Sequence, residues 1–156
     1  MGEGFKKSYG MTIGADFSVY KIDDYILHIW DLAGQVRFSQ ILKAYYIGTV
    51  GCLIVFDITN PDSFQNVPTW IEQLVKNNEN KIVPIIIVGN KADLRESGKS
   101  SISNEKAREY VKKLSDWTRF DVPYIETSAL LGLNVEQTFR NLINKIDIEQ
   151  AQLQNQ

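Results

Sequence analysis

An α/β domain, a mostly parallel open sheet flanked by helices, is what this sequence predicts, on three observations. The runs 51–57, 82–89 and 122–127 are apolar on both faces, as strands are when helices cover a sheet on both sides. Segments of helical period lie between and after these runs, and such alternation marks an open α/β sheet. The unusual polar residues Asp31, Asp57, Asn90 and Ser128 fall at predicted strand ends, where sheets of this kind carry their ligands.

The elements follow in order. Residues 15–31 read as a hairpin: Phe17 and Val19 alternate with polar neighbours, Asp23-Asp24 makes the turn, and Tyr25 to Asp31 runs back. After the apolar strand 51–57, Asn60 caps a helix with Pro61 at its first position. Phe64, Val67, Trp70, Ile71, Leu74 and Val75 then share one face. After the strand 82–89, Ser103 caps a helix with Ala107, Tyr110, Val111 and Leu114 in register. The third strand, 122–127, leads to a helix capped by Asn134, with Val135, Phe139, Leu142, Ile143 and Ile146 on its inner face. Residues 1–149 form one expected domain, and the Gln-rich 150–156 an expected disordered tail.

Composition narrows the function. The 156 residues, 44% hydrophobic and 23% charged, suit a single globular domain with a sizeable core. Lys plus Arg number 17 against 19 Asp plus Glu, so no basic excess is available to coat a nucleic acid. The single Cys52 forms no internal disulfide, and no apolar run approaches a membrane span. No signal-peptide stretch is present, Lys6 stands where a myristoylation signal needs Ser or Thr, and the C-terminus has no cysteine to prenylate. A cytoplasmic protein without its own lipid anchor is expected.

Three short motifs carry chemistry. Asn90-Lys91-Ala92-Asp93 follows a buried strand. A carboxylate only accepts hydrogen bonds, and guanine offers two adjacent donors, N1–H and its 2-amino group, which Asp93 can take together. Asn90 can bridge neighbouring loops, and the Lys91 stem can lie along a purine. Asp31-Leu32-Ala33-Gly34-Gln35 suits a metal–phosphate site. There the acid holds Mg²⁺ through water, Gly34 brings a bare N–H to a terminal phosphate, and Gln35 orients a water. Glu126-Thr127-Ser128-Ala129 leaves room for a ligand against backbone N–H groups. Each alone also fits an ordinary strand-end turn; the order Asp-x-x-Gly, Asn-Lys-x-Asp, Ser-Ala at successive strand ends is what gives them weight.

With these motifs in that order, the chain resembles the small GTPases of the Ras superfamily, and within them the Rab branch. The likeness runs from Phe5 to about Ile146. The stretch Phe5 to Phe17 resembles the family's first switch, Trp30 to Phe38 its second, and Tyr45-Tyr46-Ile47-Gly48 the helix that follows. The resemblance implies GTP/GDP and Mg²⁺ as ligands. It assigns Thr12 to Mg²⁺ and the γ-phosphate, Asp31 to the water shell of Mg²⁺, Gly34 to γ-phosphate sensing and Gln35 to the attacking water. It assigns Asn90, Lys91 and Asp93 to guanine, and Ser128, Ala129 and Leu130 to the loop supporting the base. Phe17, Trp30 and Tyr45 match an aromatic trio shown to effectors, although three such aromatics also suit a core. Effectors, exchange factors and GTPase-activating proteins are the implied partners.

The sequence departs from the family pattern at several positions. Leu32 stands for the usual Thr, Val36 for Glu, and Leu130 for the Lys that follows Ser-Ala. The family's phosphate loop, Gly-x-x-x-x-Gly-Lys-Ser/Thr, is expected ahead of the first switch, and this sequence starts inside the helix that would follow it. Gly98-Lys99-Ser100 is a decoy, because Asp93 occupies the first Gly position and no strand leads into it. The family's first strand would lie between those at 25–31 and 51–57. Without it, either those two pair directly, pulling Thr12 and Asp31 from the nucleotide, or each keeps an open edge. Residues 1–156 are then expected to be marginally stable, prone to self-association and to bind GTP weakly or not at all. A guanine-nucleotide switch is the first reading; a non-catalytic interaction module that keeps the switch surface is the alternative, and a domain for another nucleotide or flavin the third.

Overall fold

The computed structural model describes residues 12, 14–34, 43–99 and 102–154. Gln35 and most of the first-switch stretch lie outside them, as does Ser100. The elements run β1 (Ala15–Ile22), β2 (Tyr25–Leu32), α1 (Lys43–Tyr46), β3 (Cys52–Asp57), α2 (Pro61–Gln65), α3 (Val67–Asn77), β4 (Ile85–Asn90), α4 (Asn104–Thr118), β5 (Tyr124–Thr127) and α5 (Val135–Gln154), with a 3₁₀ turn at Ala92–Leu94.

β1 and β2 pair antiparallel from Ala15↔Leu32 to Ile22↔Tyr25. Asp23 turns the chain at φ 51°, a left-handed conformation that Asp tolerates better than most residues. β3, β4 and β5 form a parallel sheet in that order, with Cys52↔Ile85 and Ile87↔Tyr124 fixing the register. β4 starts at Ile85, later than the apolar run, because Pro84 has no N–H for a ladder; its carbonyl still accepts from Cys52 N at 2.9 Å. All of Ile85, Ile86, Ile87 and Val88 are buried, as befits the central strand.

Asn60 caps α2 as expected, its Oδ1 accepting from Asp62 N at 3.0 Å. The single helix anticipated after it is divided at Asn66, because Pro68 in the first turn of α3 has no N–H to continue the ladder. The inner face survives the break: Phe64, Val67, Ile71 and Leu74 are all buried. The Phe64 ring meets Phe56 at 4.9 Å and Tyr110 at 5.5 Å, joining α2, β3 and α4 in one core. Ser103 caps α4, accepting from Lys106 N at 3.2 Å. Asn134 behaves differently from an ordinary cap. It sits at φ 57°, and its amide donates to the Glu126 carbonyl at 2.8 Å, tying the start of α5 to β5. The segment expected as tail from residue 150 is helical through Gln154, since Gln, Ala and Leu are good helix formers.

Among the described residues the β1–β2 hairpin and the β3–β4–β5 sheet are separate, and β2 does not pair with β3. The hairpin is held instead from its far end. Tyr25 Oη donates to Asp147 at 2.5 Å, Arg140 pairs with Asp23, and the Tyr20 and Phe139 rings lie 6.3 Å apart, all three against α5. α5 comes close to the sheet because Gly51 has no side chain: a Cβ there would lie 2.7 Å from Ile146 Cδ1. Val55 on β3 is 48% exposed, and among the described residues no strand pairs with the outer edge of β3.

Candidate functional site

The carboxyl ends of β3, β4 and β5 converge at Asp57, Asn90 and Thr127. Asn90 at the end of β4 reaches across to β5: its Oδ1 accepts from Ala129 N at 3.1 Å and from Thr127 Oγ1 at 3.3 Å. Asp93, in the 3₁₀ turn, accepts from Ser128 Oγ at 2.5 Å through Oδ1. Ser128 is fully buried, and its Oγ also accepts from Leu131 N at 3.2 Å. An antiparallel bridge between Ser128 and Leu133 closes the loop. Residues 90–93 and 128–131, far apart in sequence, are thus one polar unit.

Lys91 takes a left-handed φ of 71° and places its Nζ 2.6 Å from Asp57 Oδ2. Burial alone would raise the Asp57 pKa; the Lys91 ammonium and the Thr59 hydroxyl and N–H outweigh it and hold the carboxyl below the ordinary aspartate value of 3.8. The stability this adds is present above that value and is lost as pH falls through the lower, folded one. Asp57→Asn is therefore expected to cost roughly 1 kcal/mol at pH 7 and to flatten the acid limb of a stability–pH profile. Parallel wild-type and variant profiles would disprove it. Asp57 stood out as a polar residue at a strand end, but its pairing with Lys91 was not readable from spacing.

A second cluster lies at the end of the hairpin. Thr12 Oγ1 donates to Asp31 Oδ2 at 3.2 Å, and both line a cavity of ≈ 470 Å³ with Gly34, Asn60, Asp62 and Trp70 among the rest of its wall. Trp70 Nε1 donates to the Gly34 carbonyl at 3.2 Å, a contact for which the sequence carried no signal. Gly34 is needed for that approach, since a Cβ would stand 3.2 Å from the indole. A hydroxyl beside a carboxylate suits Mg²⁺, which takes few protein oxygens and completes its shell with water and phosphate. Among the described residues the cavity wall holds Asp31 and Asp62 and no cationic side chain. The wall thus offers oxygen acceptors of the kind a hard cation takes, and its described part supplies no positive charge.

Phe17, Trp30 and Tyr45 form a continuous aromatic strip, with centroids 4.7 Å apart from Phe17 to Trp30 and again from Trp30 to Tyr45. Phe17 and Trp30 are each 46% exposed, whereas Tyr45 is partly buried and packs against the core, so only two of the three face outward. Leu130 is half-exposed beside the base-loop residue Ala129.

The Ras family model matches residues 1–148. The chain belongs to the Ras family. It is 40% identical over 139 residues to Ras-related protein Rab11B of Nicotiana tabacum, a match covering 86% of this chain and 60% of that protein. To the RABA1c and RABA2a proteins of Arabidopsis thaliana it is 38% and 36% identical over the same length. The matches therefore span about 60% of the length of these relatives. The α/β architecture expected from the sequence is that of this family, with a three-stranded parallel sheet and helices on both sides. Among the described residues no helix is long and apolar enough to cross a membrane.

Proposed function

We propose that this chain is the guanine-nucleotide-binding domain of a Rab-like switch that alternates between GTP and GDP. The observation that carries the reading is the joined unit of Asn90, Asp93, Ser128 and Ala129, built as an acceptor for paired donors on a base. Asp93 takes guanine N1–H and the 2-amino group; adenine lacks that donor pair and would leave a carboxylate unpaired. Ser128 keeps the Asp93 carboxylate turned toward the base, Lys91 lays its stem along the purine, and Leu130 gives the base an apolar flank. Thr12 would hold Mg²⁺ directly and Asp31 through its water shell, and the ion would offset the phosphate charge. Gly34 presents its N–H to the terminal phosphate. Gln35 orients the water that attacks it.

Effectors, exchange factors and GTPase-activating proteins are the partners proposed, through the switch segments and the exposed Phe17 and Trp30, with the partly buried Tyr45 behind them. Exposed aromatics in contact with one another suit an interface. The comparisons with known proteins give the non-catalytic interaction module no support over the switch.

Because water orientation matters chiefly in the transition state, Gln35→Leu in a chain extended with the family's phosphate loop is expected to slow single-turnover GTP hydrolysis by about tenfold or more and leave nucleotide affinity within about twofold. Hydrolysis at the wild-type rate would remove Gln35 from the reaction.

A further inference from the structure

Two opposite charges flank the base-reading loops, and they meet. Arg95 stands two residues after Asp93, and Glu126 two before Ser128. The guanidinium makes a two-point contact, Nη2 to Glu126 Oε1 at 2.5 Å and Nε to Oε2 at 3.3 Å. Its third edge is used as well, with Nη1 donating to the Ile102 carbonyl at 2.6 Å. Glu126 Oε1 also accepts from Asn104 Nδ2 at 3.0 Å and Tyr124 Oη at 2.9 Å. Burial works against the charged form of this carboxyl, but its donors prevail and keep its pKa below that of an ordinary glutamate. Both side chains are mostly shielded, at 27% and 19% exposure.

We propose that Arg95 and Glu126 are positioning residues, a clamp that fixes the spacing between the loop carrying Asn90 to Asp93 and the loop carrying Ser128 and Ala129. The proposal rests on the guanine reading for its purpose, but not for its geometry. The β4–β5 ladder ends at Asn90↔Thr127. Beyond it, the hydrogen bonds joining the two loops all have neutral donors, Ser128 Oγ to Asp93 and Ala129 N and Thr127 Oγ1 to Asn90. A stiffer contact past the end of the ladder would fix their separation further. A planar guanidinium forked onto a carboxylate, with its remaining edge on a carbonyl, is stiffer in this sense. Removing the fork lets the loops move apart, so the base must order them on binding, and affinity falls.

The test is amide hydrogen exchange and nucleotide competition on the full chain, for wild type, Arg95→Met, Arg95→Lys, Glu126→Gln and, as a remote control, Arg140→Met. Arg95→Met is expected to speed exchange at Ala129, Leu131 and Leu133 by about tenfold or more. It should also weaken GDP about tenfold and narrow the preference for GDP over inosine diphosphate, which lacks the 2-amino group. Arg95→Lys keeps the charge without the fork and should fall between; Arg140→Met should leave these amides and the preference unchanged. Should Arg95→Met fail to fold, Arg95→Lys and Glu126→Gln carry the comparison, each with a smaller shift in the same direction. Wild-type exchange at 129–133 in all three clamp variants, or an equal rise at every amide of the domain, would overturn the clamp. Loosened loops in a protein whose wild type shows no preference for GDP over inosine diphosphate would instead overturn the guanine reading and leave the clamp standing.

Discussion

In a chain extended with the family's phosphate loop, Asp93→Asn is expected to exchange guanine for xanthine preference. In the wild type both carboxylate oxygens accept, matching the N1–H and 2-amino donors of guanine. An amide keeps one acceptor and presents one donor. Guanine then meets a donor opposite its 2-amino group, whereas xanthine carries a carbonyl there that the new N–H can reach. Ser128 Oγ, 2.5 Å from Asp93 Oδ1, can still donate to the amide oxygen, so the side chain keeps its orientation and the loop its shape. The loss for GDP should be on the order of 100-fold, from one broken charged hydrogen bond and one donor left facing a donor. Competition between GDP and xanthosine diphosphate reads the ratio directly. An unchanged ratio would remove Asp93 from base recognition.

Among the described glycines, Gly89→Ala should be the most damaging. A Cβ at this position would lie 2.3 Å from Tyr124 Oη and 3.0 Å from both Tyr124 Cζ and Ile58 Cγ2. The tyrosine has nowhere to go: it is buried, stacks on Phe56 at 6.1 Å and donates to Glu126 at 2.9 Å. Overpacking of this kind, with one hydrogen bond strained, is expected to cost about 2–4 kcal/mol and to lower Tm by roughly 10 °C. It would also displace Asn90, the next residue, and with it the bridge to Ala129. Because the clash is mostly with the hydroxyl, Gly89→Ala with Tyr124→Phe should regain part of the loss. Two losses that simply add would show that the clash lies elsewhere.

Local chemistry explains which elements could be read in advance. The Asn60-Pro61 start of α2, the Ser103 cap of α4 and the doubly apolar strands follow from neighbouring residues alone. So does the hairpin turn at Asp23-Asp24. Prolines decided the main boundary differences, Pro84 delaying β4 and Pro68 dividing the helix at Asn66. What escaped the sequence was contact between distant segments. Lys91 on Asp57, Arg95 on Glu126 and Trp70 on the Gly34 carbonyl join residues 31 to 36 positions apart or lying on different strands. The docking of the hairpin on α5 spans 117 and 122 positions. Opposite charges two residues outside each base loop were a usable hint for the Arg95–Glu126 pair. No pattern of spacing announces an indole on a carbonyl.

Amide chemical shifts of ¹⁵N-labelled protein, followed on adding GDP or ADP with Mg²⁺, test base reading most directly, because they report weak binding residue by residue. Guanine recognition by the joined loops predicts that GDP, and not ADP, moves the amides of Asn90, Lys91, Asp93, Ser128 and Ala129. Equal shifts with ADP, or no shift at these residues at millimolar GDP, would contradict it.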